Sequence, residues 1–128
     1  MPNKKLLNVE NLNAGYDNLQ AVSNVNFYVN KGEIVSLIGP NGAGKSSVLK
    51  TIFGFLNILQ GKIVFNGKDI TKTKTHELAK LGIGFVHQGR QVFRKMTVEE
   101  NLELGAFIDD KKKNNIENVY KIFPILNF

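Results

Sequence analysis

Residues 39–46, Gly39-Pro40-Asn41-Gly42-Ala43-Gly44-Lys45-Ser46, restrict the possible folds more than any other stretch of the chain. They satisfy the pattern G-x-x-x-x-G-K-S/T, a loop that cradles phosphate groups. Immediately before them stands Glu33-Ile34-Val35-Ser36-Leu37-Ile38, an apolar run with the composition of a strand buried on both faces. Immediately after come Ser47-Val48-Leu49-Lys50-Thr51-Ile52-Phe53, with apolar residues at helical spacing. Strand, glycine loop and helix thus follow in the order that puts backbone N–H groups and the positive end of a helix against an anion. Gly42 and Gly44 allow a tight turn and a close approach of backbone to polyphosphate. Lys45 supplies a mobile point charge for the β- and γ-phosphates, and the Ser46 hydroxyl is suited to Mg²⁺. A glycine-rich turn joining a core strand to a core helix is the competing reading. A Lys-Ser pair at this spacing argues against it.

The remaining composition excludes several classes. At 128 residues the chain suffices for one compact domain, and its 42% hydrophobic and 22% charged content is that of a globular protein. With no cysteine, disulfides and thiolate metal sites are excluded. The net charge of +6 comes from scattered basic residues, with one dense run at Lys111-Lys112-Lys113 among Asp109, Asp110, Asn114 and Asn115. That pattern reads as a solvated connector, not a nucleic-acid surface, which would interleave basic residues with aromatics. The N-terminus has no apolar stretch of signal-peptide length, and no run approaches a membrane span. The expectation is a cytosolic or peripheral protein.

Taken in order, residues 6–12 read as a first strand, and Gly15-Tyr16-Asp17-Asn18 as a turn. Val25, Phe27 and Val29 alternate with Asn24, Asn26 and Tyr28, the period of a half-buried strand. The opening is therefore antiparallel, with the loop-bearing strand third. The first helix is expected to end near Gly54, and residues 62–65 to form a short strand before an Asn66-Gly67 hairpin turn. Residues 76–81 read as a short helix, and Gly82-Ile83-Gly84-Phe85-Val86-His87 as another core strand leading into a loop at residues 88–93. Thr97-Val98-Glu99-Glu100 is a capping box starting a helix that carries Val98, Leu102, Leu104 and Phe107. Ile116, Val119, Tyr120 and Phe123 give a last amphipathic helix stopped by Pro124, before an apolar end at Ile125-Leu126-Asn127-Phe128.

Four segments beyond the loop signature narrow the reading. GPNGAGKSS, the upstream Tyr16, VNFYVNKGE and GIGFVHQGRQVFRKMTVEENLELGA together resemble the nucleotide-binding subunit of ATP-binding cassette (ABC) transporters, over nearly the whole chain. Gly89-Arg90 and Val92-Phe93 with Thr97-Val98-Glu99-Glu100-Asn101-Leu102 look most like the importers of branched-chain amino acids; the urea and amide importers are closely similar. The resemblance implies an α/β P-loop nucleoside triphosphate hydrolase fold of the ABC ATPase type with an N-terminal antiparallel β subdomain. It implies ATP and Mg²⁺ as cofactors. Tyr16 matches the aromatic that stacks on adenine, and Val22 an apolar contact to the nucleotide's rings. Asn41, Gly42, Ala43, Gly44, Lys45, Ser46 and Ser47 match the phosphate and Mg²⁺ contacts; many relatives have Thr where this chain has Ser47. Gln88 matches the glutamine whose amide reaches Mg²⁺ and the attacking water and reports nucleotide state to the membrane subunit. His87 replaces a proline common just before that glutamine, which frees the loop's backbone. His76 and His87 read as structural.

The cassette in this family continues with a Leu-Ser-Gly-Gly signature, an apolar strand ending in aspartate and glutamate, and a switch histidine. None occurs in residues 1–128. The expectation is a single, truncated nucleotide-binding domain, with β subdomain and phosphate-loop core in residues 1–87 and the glutamine loop and start of a helical subdomain in residues 88–128. Lys45 and Gln88 are the catalytic candidates, and Ser46 and Gln88 the Mg²⁺ candidates. Glu99, Glu100 and Glu103 lie on a helix that the family places away from the γ-phosphate. The expected partners are a second ABC nucleotide-binding subunit, transmembrane permease subunits and, indirectly, a solute-binding protein, with no nucleic acid; the expected place is the cytoplasmic side of the membrane. Three other readings stay open: a transporter of another substrate, exporters included; a soluble cassette ATPase working on ribosomes or DNA; and an inert nucleotide-binding fragment.

Overall fold

The computed structural model describes residues 4–17, 19–89, 91–107 and 112–127, with the side chains of residues 112–114 left aside. Asn18 of the expected turn, Arg90, the Asp109 to Lys111 stretch and Phe128 lie outside the described residues. The chain divides into two compact units, residues 1–84 and 85–128.

The first unit is built on an antiparallel sheet of order β2-β1-β3-β4, with β1 at Lys5–Tyr16, β2 at Leu19–Asn30, β3 at Asn57–Phe65 and β4 at Lys68–Asp69. Alternation explains the long hairpin. Val25, Phe27 and Val29 are partly buried while Asn24, Asn26 and Tyr28 face solvent. The β1–β2 ladder is interrupted between Val9 and Ala14, and Asn11 and Asn24 there take positive φ of 48° and 45°. Asparagine side chains fill the gaps this leaves in the ladder: Asn11 N donates to Asn26 Oδ1 at 2.8 Å, and Asn24 N to Asn13 Oδ1 at 3.0 Å. The Asn66-Gly67 turn forms as expected, both residues at positive φ between the paired Phe65 and Lys68. Two helices complete the unit: α1 at Lys45–Ile52 and α2 at Thr75–Lys80. The core gathers Val9, Leu12, Ala14, Val22, Val48, Leu56, Ile63, Ile70 and Leu78. α1 lays Val48 and Thr51 on it, and α2 lays Leu78. The one buried polar residue among these helices, Thr51, donates its hydroxyl proton to the Ser47 carbonyl at 2.7 Å.

One expectation is corrected. Residues 34–38 and 83–87 are not strands: neither segment joins a ladder among the described residues. Leu37 and Ile83 still pack against the core, but Ile34 and Ile38 are 96% and 93% exposed. The physical reason is that, among the described residues, β1 to β4 pair as strands only with one another. An apolar run with no neighbouring strand has no register to enter.

The second unit is helical, with α3 at Val98–Gly105, α4 at Lys112–Ile122 and a 3₁₀ turn at Pro124–Leu126. The capping box is present: Glu100 N donates to Thr97 Oγ1 at 3.2 Å and Thr97 N to Glu100 Oε2 at 2.7 Å. Among the described residues no helix is long and apolar enough to cross a membrane.

Candidate functional site

The loop of residues 39–47 follows the irregular segment of residues 34–38 and runs straight into α1. A β-turn is closed by Ala43 N donating to Pro40 O at 3.2 Å, with Gly42 at φ 83° in its third position. Gly44 follows at φ 84° and is the N-cap residue, so the helix begins at Lys45 with Val48 N donating to Gly44 O at 2.9 Å. A side chain is barred at Gly44 on two grounds. Its φ is left-handed, and a Cβ would stand 2.9 Å from the carbonyl oxygen of Ala21 on β2. That close approach seats the start of α1 directly on the strand that carries Val22.

Two features suit the loop to an anion. The N–H groups of Asn41, Gly42 and Gly44 make no hydrogen bond among the described residues. The helix that follows has no side-chain cap and no acidic residue in its first turn. The orphan donors at its start, with the positive end of its dipole, therefore remain available. Lys45 is held across the loop: its Nζ donates to Gly39 O at 2.7 Å and to Pro40 O at 2.6 Å. Ser46 is exposed on the first helical turn, next to half-exposed Ser47. This donor set fits a polyphosphate with its Mg²⁺: backbone N–H groups and an ammonium for the phosphate oxygens, a hydroxyl for the metal.

The other candidates fall in different places. Tyr16 ends β1 and is 46% exposed, so a ring face is open to solvent. Val22 is 3% exposed and belongs to the core, so it offers little surface of its own. Tyr16, Val22 and residues 41–47 all belong to the first unit; Gln88 is exposed in the second. His87, its neighbour, meets Phe85 edge to face, the ring centroids 4.8 Å apart.

Sequence reasoning passed over Asn101. Its side chain receives Phe93 N at 2.9 Å and donates to Phe93 O at 3.1 Å, Met96 O at 3.3 Å and Thr97 O at 2.8 Å. One amide thus pins the loop of residues 93–97 to α3. No spacing rule announces it, because its partners are main-chain groups of an irregular segment. A hollow of about 750 Å³ opens beside it, lined by Val92, Phe93, Met96, Leu102, Leu104 and Leu126 among others. Its walls are mostly apolar, with Gln91, Arg94 and Asn101 as the polar members.

Residues 22–128 match the family described as ABC transporter. A probable branched-chain amino acid transport ATP-binding protein, LivF of Archaeoglobus fulgidus, is 40% identical over 123 residues, 94% of this chain and 52% of that protein. The lipopolysaccharide export system ATP-binding protein LptB of Haemophilus influenzae is 44% identical over 97 residues, 76% of this chain and 40% of its own. Among solved structures, a nucleotide-free ATP-binding cassette from an ABC transporter superposes with a TM-score of 0.73 at 35% identity, covering 97% of this chain and 53% of that one. The chain spans about half the length of the curated relatives it matches.

Proposed function

The chain belongs to the ABC transporter family, and from that premise we propose that it is the MgATP-binding, energy-coupling part of an importer of branched-chain amino acids. Its fold is that of a P-loop ABC ATPase with an antiparallel sheet at the N-terminus. The observation that carries the reading is the loop itself, where unpaired N–H groups of Asn41, Gly42 and Gly44 surround an uncapped helix start.

In this reading the backbone of residues 41–47 holds the phosphates. Lys45 leaves the Gly39 and Pro40 carbonyls and turns to the β- and γ-phosphates. Ser46 would hold Mg²⁺, which would supply neutralisation of charge on the phosphoryl oxygens, and Ser47 would add a second hydroxyl. Tyr16 lays its exposed ring on adenine. Val22 serves from beneath, as the apolar floor of the β2 surface on which Gly44 rests. By the family's pattern Gln88 would offer its amide to Mg²⁺ and the attacking water and would report the state of the nucleotide to a membrane subunit. Turnover draws on a second nucleotide-binding subunit, permease subunits hold the assembly at the cytoplasmic face of the membrane, and a solute-binding protein acts indirectly.

Branched-chain amino acids are favoured as cargo because several relatives carry that designation. A transporter of another substrate is the second reading, favoured by the relatives named for lipopolysaccharide export and sulfate import. Equilibrium dialysis of the folded chain with MgATP tests the first claim. Retention that Lys45→Ala abolishes is expected, with phosphate release no faster than in that variant; equal retention by both would refute it. Co-purification with permease subunits tests the second, and a complex formed instead with ribosomes or DNA would overturn it.

A further inference from the structure

The chain contains two Asn-Gly pairs, Asn41-Gly42 and Asn66-Gly67, both exposed in tight turns. Such pairs are chemically labile. Glycine has no Cβ to hinder its own nitrogen, and asparagine amides are among the thermolabile groups of proteins. The two turns differ in how firmly they are held. Asn66 is locked at φ 48° between the paired Phe65 and Lys68, and its N–H donates to Leu6 O at 2.7 Å. Asn41 is outside the left-handed region, its own N–H and that of Gly42 have no partner among the described residues, and one 3.2 Å main-chain bond closes its turn, with the Lys45 ammonium bonded to Gly39 O and Pro40 O across it. A Cβ built at Gly42 meets nothing within 4 Å, so its surroundings leave space for a new ring.

We propose that Asn41 is a self-modification site in the nucleotide-free protein, deamidating through a cyclic imide closed by Gly42, and that a bound nucleoside triphosphate protects it. The second half rests on reading residues 39–47 as a polyphosphate loop. In the first step Gly42 N bonds to Asn41 Cγ, the Cγ–Nδ2 bond breaks, and Nδ2 leaves as ammonia with the proton from Gly42 N. Water then opens the imide. Attack at Cγ restores the main chain with aspartate at position 41; attack at the other carbonyl leaves an isoaspartyl link through the side chain. The sum is water in and ammonia out, with no change of oxidation state.

The loop's electrostatics assist closure. The positive end of α1 and the Lys45 ammonium, bonded to the Pro40 carbonyl one residue upstream, favour negative charge on Gly42 N as its proton departs. Swinging Asn41 Cγ over Gly42 N strains one main-chain bond, Ala43 N to Pro40 O, and the Lys45 side-chain bonds to Gly39 O and Pro40 O that span the turn. The same movement at Asn66 breaks the pairing on both sides of the hairpin turn. A nucleotide whose phosphates accept from Gly42 N–H removes the nucleophile. Once formed, a carboxylate at position 41 repels polyphosphate, so the modified loop no longer retains nucleotide.

The test is prolonged incubation of the full chain at mildly alkaline pH, with and without MgATP, followed by peptide mapping for acid and isoaspartyl products. MgATP retention is measured on the same sample at the start. Without nucleotide, Asn41 is expected to convert several-fold faster than Asn66; MgATP slows Asn41 alone, and Asn41→Asp lacks MgATP retention from the outset. Equal or reversed order of the two sites in nucleotide-free protein overturns the proposal. So does unslowed conversion at Asn41 in protein that retains MgATP. If no MgATP is retained, the polyphosphate reading and the protection built on it fall, and the order of the two sites still decides the modification.

Discussion

Lys45 Nζ lies 2.7 Å from the carbonyl oxygen of Gly39, inside its own loop. With the matching 2.6 Å bond to Pro40 O, the ammonium holds together both ends of the turn that leads into α1. The lysine is thus a structural brace within the loop, beside the phosphate role proposed for it. Lys45→Met is expected to destabilise the nucleotide-free protein by ~1 kcal/mol, the typical net worth of a hydrogen bond in a partly exposed place. Urea denaturation without nucleotide measures this. An unchanged midpoint would mean that the bonds contribute nothing to the free chain.

Gly44 and Gly42 share a left-handed φ of 84° and 83° but not their surroundings. At Gly42 an added Cβ meets open space, whereas at Gly44 it runs into Ala21 O. Gly42→Ala should therefore cost only the backbone term, about 1–2 kcal/mol. Gly44→Ala should cost more, because β2 and the start of α1 must also part. Thermal unfolding of both variants ranks them, and equal losses would show that the strand yields freely to the helix.

Tyr16 and Val22 separate affinity from stability. Tyr16 is half exposed, so Tyr16→Ala should leave the melting temperature nearly unchanged and weaken MgATP retention. Val22 is a core residue, so Val22→Ala should lower stability by about 1–2 kcal/mol through lost burial and a residual cavity. The reverse assignment, a stability defect at Tyr16 and an affinity defect at a well-folded Val22→Ala, would exchange their roles.

What the sequence makes legible follows the range of the interactions. The capping box joins residues three apart, and the Asn66-Gly67 turn lies inside a four-residue window, so composition alone announces both. The stretch from Asn41 to Ser47 reads clearly because its chemistry is local: glycines, one ammonium and two hydroxyls in a row. Residues 34–38 and 83–87 mislead because an apolar run records only a preference for burial. Whether it enters a ladder depends on a strand elsewhere in the chain. The brace at Lys45 stays hidden for another reason: the motif describes what the lysine does to phosphate, not which carbonyls it holds without it. Val22 is a middle case, since a valine near a loop reads equally as contact or core, and only the packing of β2 assigns it to the core.

Asp69 accepts from Thr71 Oγ1 at 2.6 Å and Thr71 N at 2.9 Å, and Lys62 stands 3.8 Å away. The Thr71 hydroxyl bond, then its backbone bond, hold the carboxyl below its ordinary value of 3.8, Lys62 adding less. The sign follows from linkage. A group whose pKa is lower in the folded state stabilises above the unfolded value and loses that contribution as pH falls through the folded one. The window therefore lies in the acid range below the ordinary carboxylate value, and neutral pH keeps the full effect. Thr71→Val removes the first of these bonds, so an NMR titration of Asp69 should move upward; an unmoved curve would assign the depression to another cause.

Ile34 and Ile38 give the sharpest contrast between composition and fold. Both stand in a six-residue run, Glu33 to Ile38, with one charge and no proline, the kind of segment that pairs with copies of itself when its edge is open. Both side chains are almost fully exposed in the chain, while Leu37 between them packs on the core. Ile34→Lys together with Ile38→Lys should then change the unfolding free energy by no more than about 0.5 kcal/mol per site, as for surface positions. The same pair should raise the concentration at which the chain stays monomeric in sedimentation, since charge on an edge opposes strand addition. Leu37→Ala, in the same run, should instead destabilise the unit measurably. If the lysine pair unfolds the protein as Leu37→Ala does, the segment is buried after all.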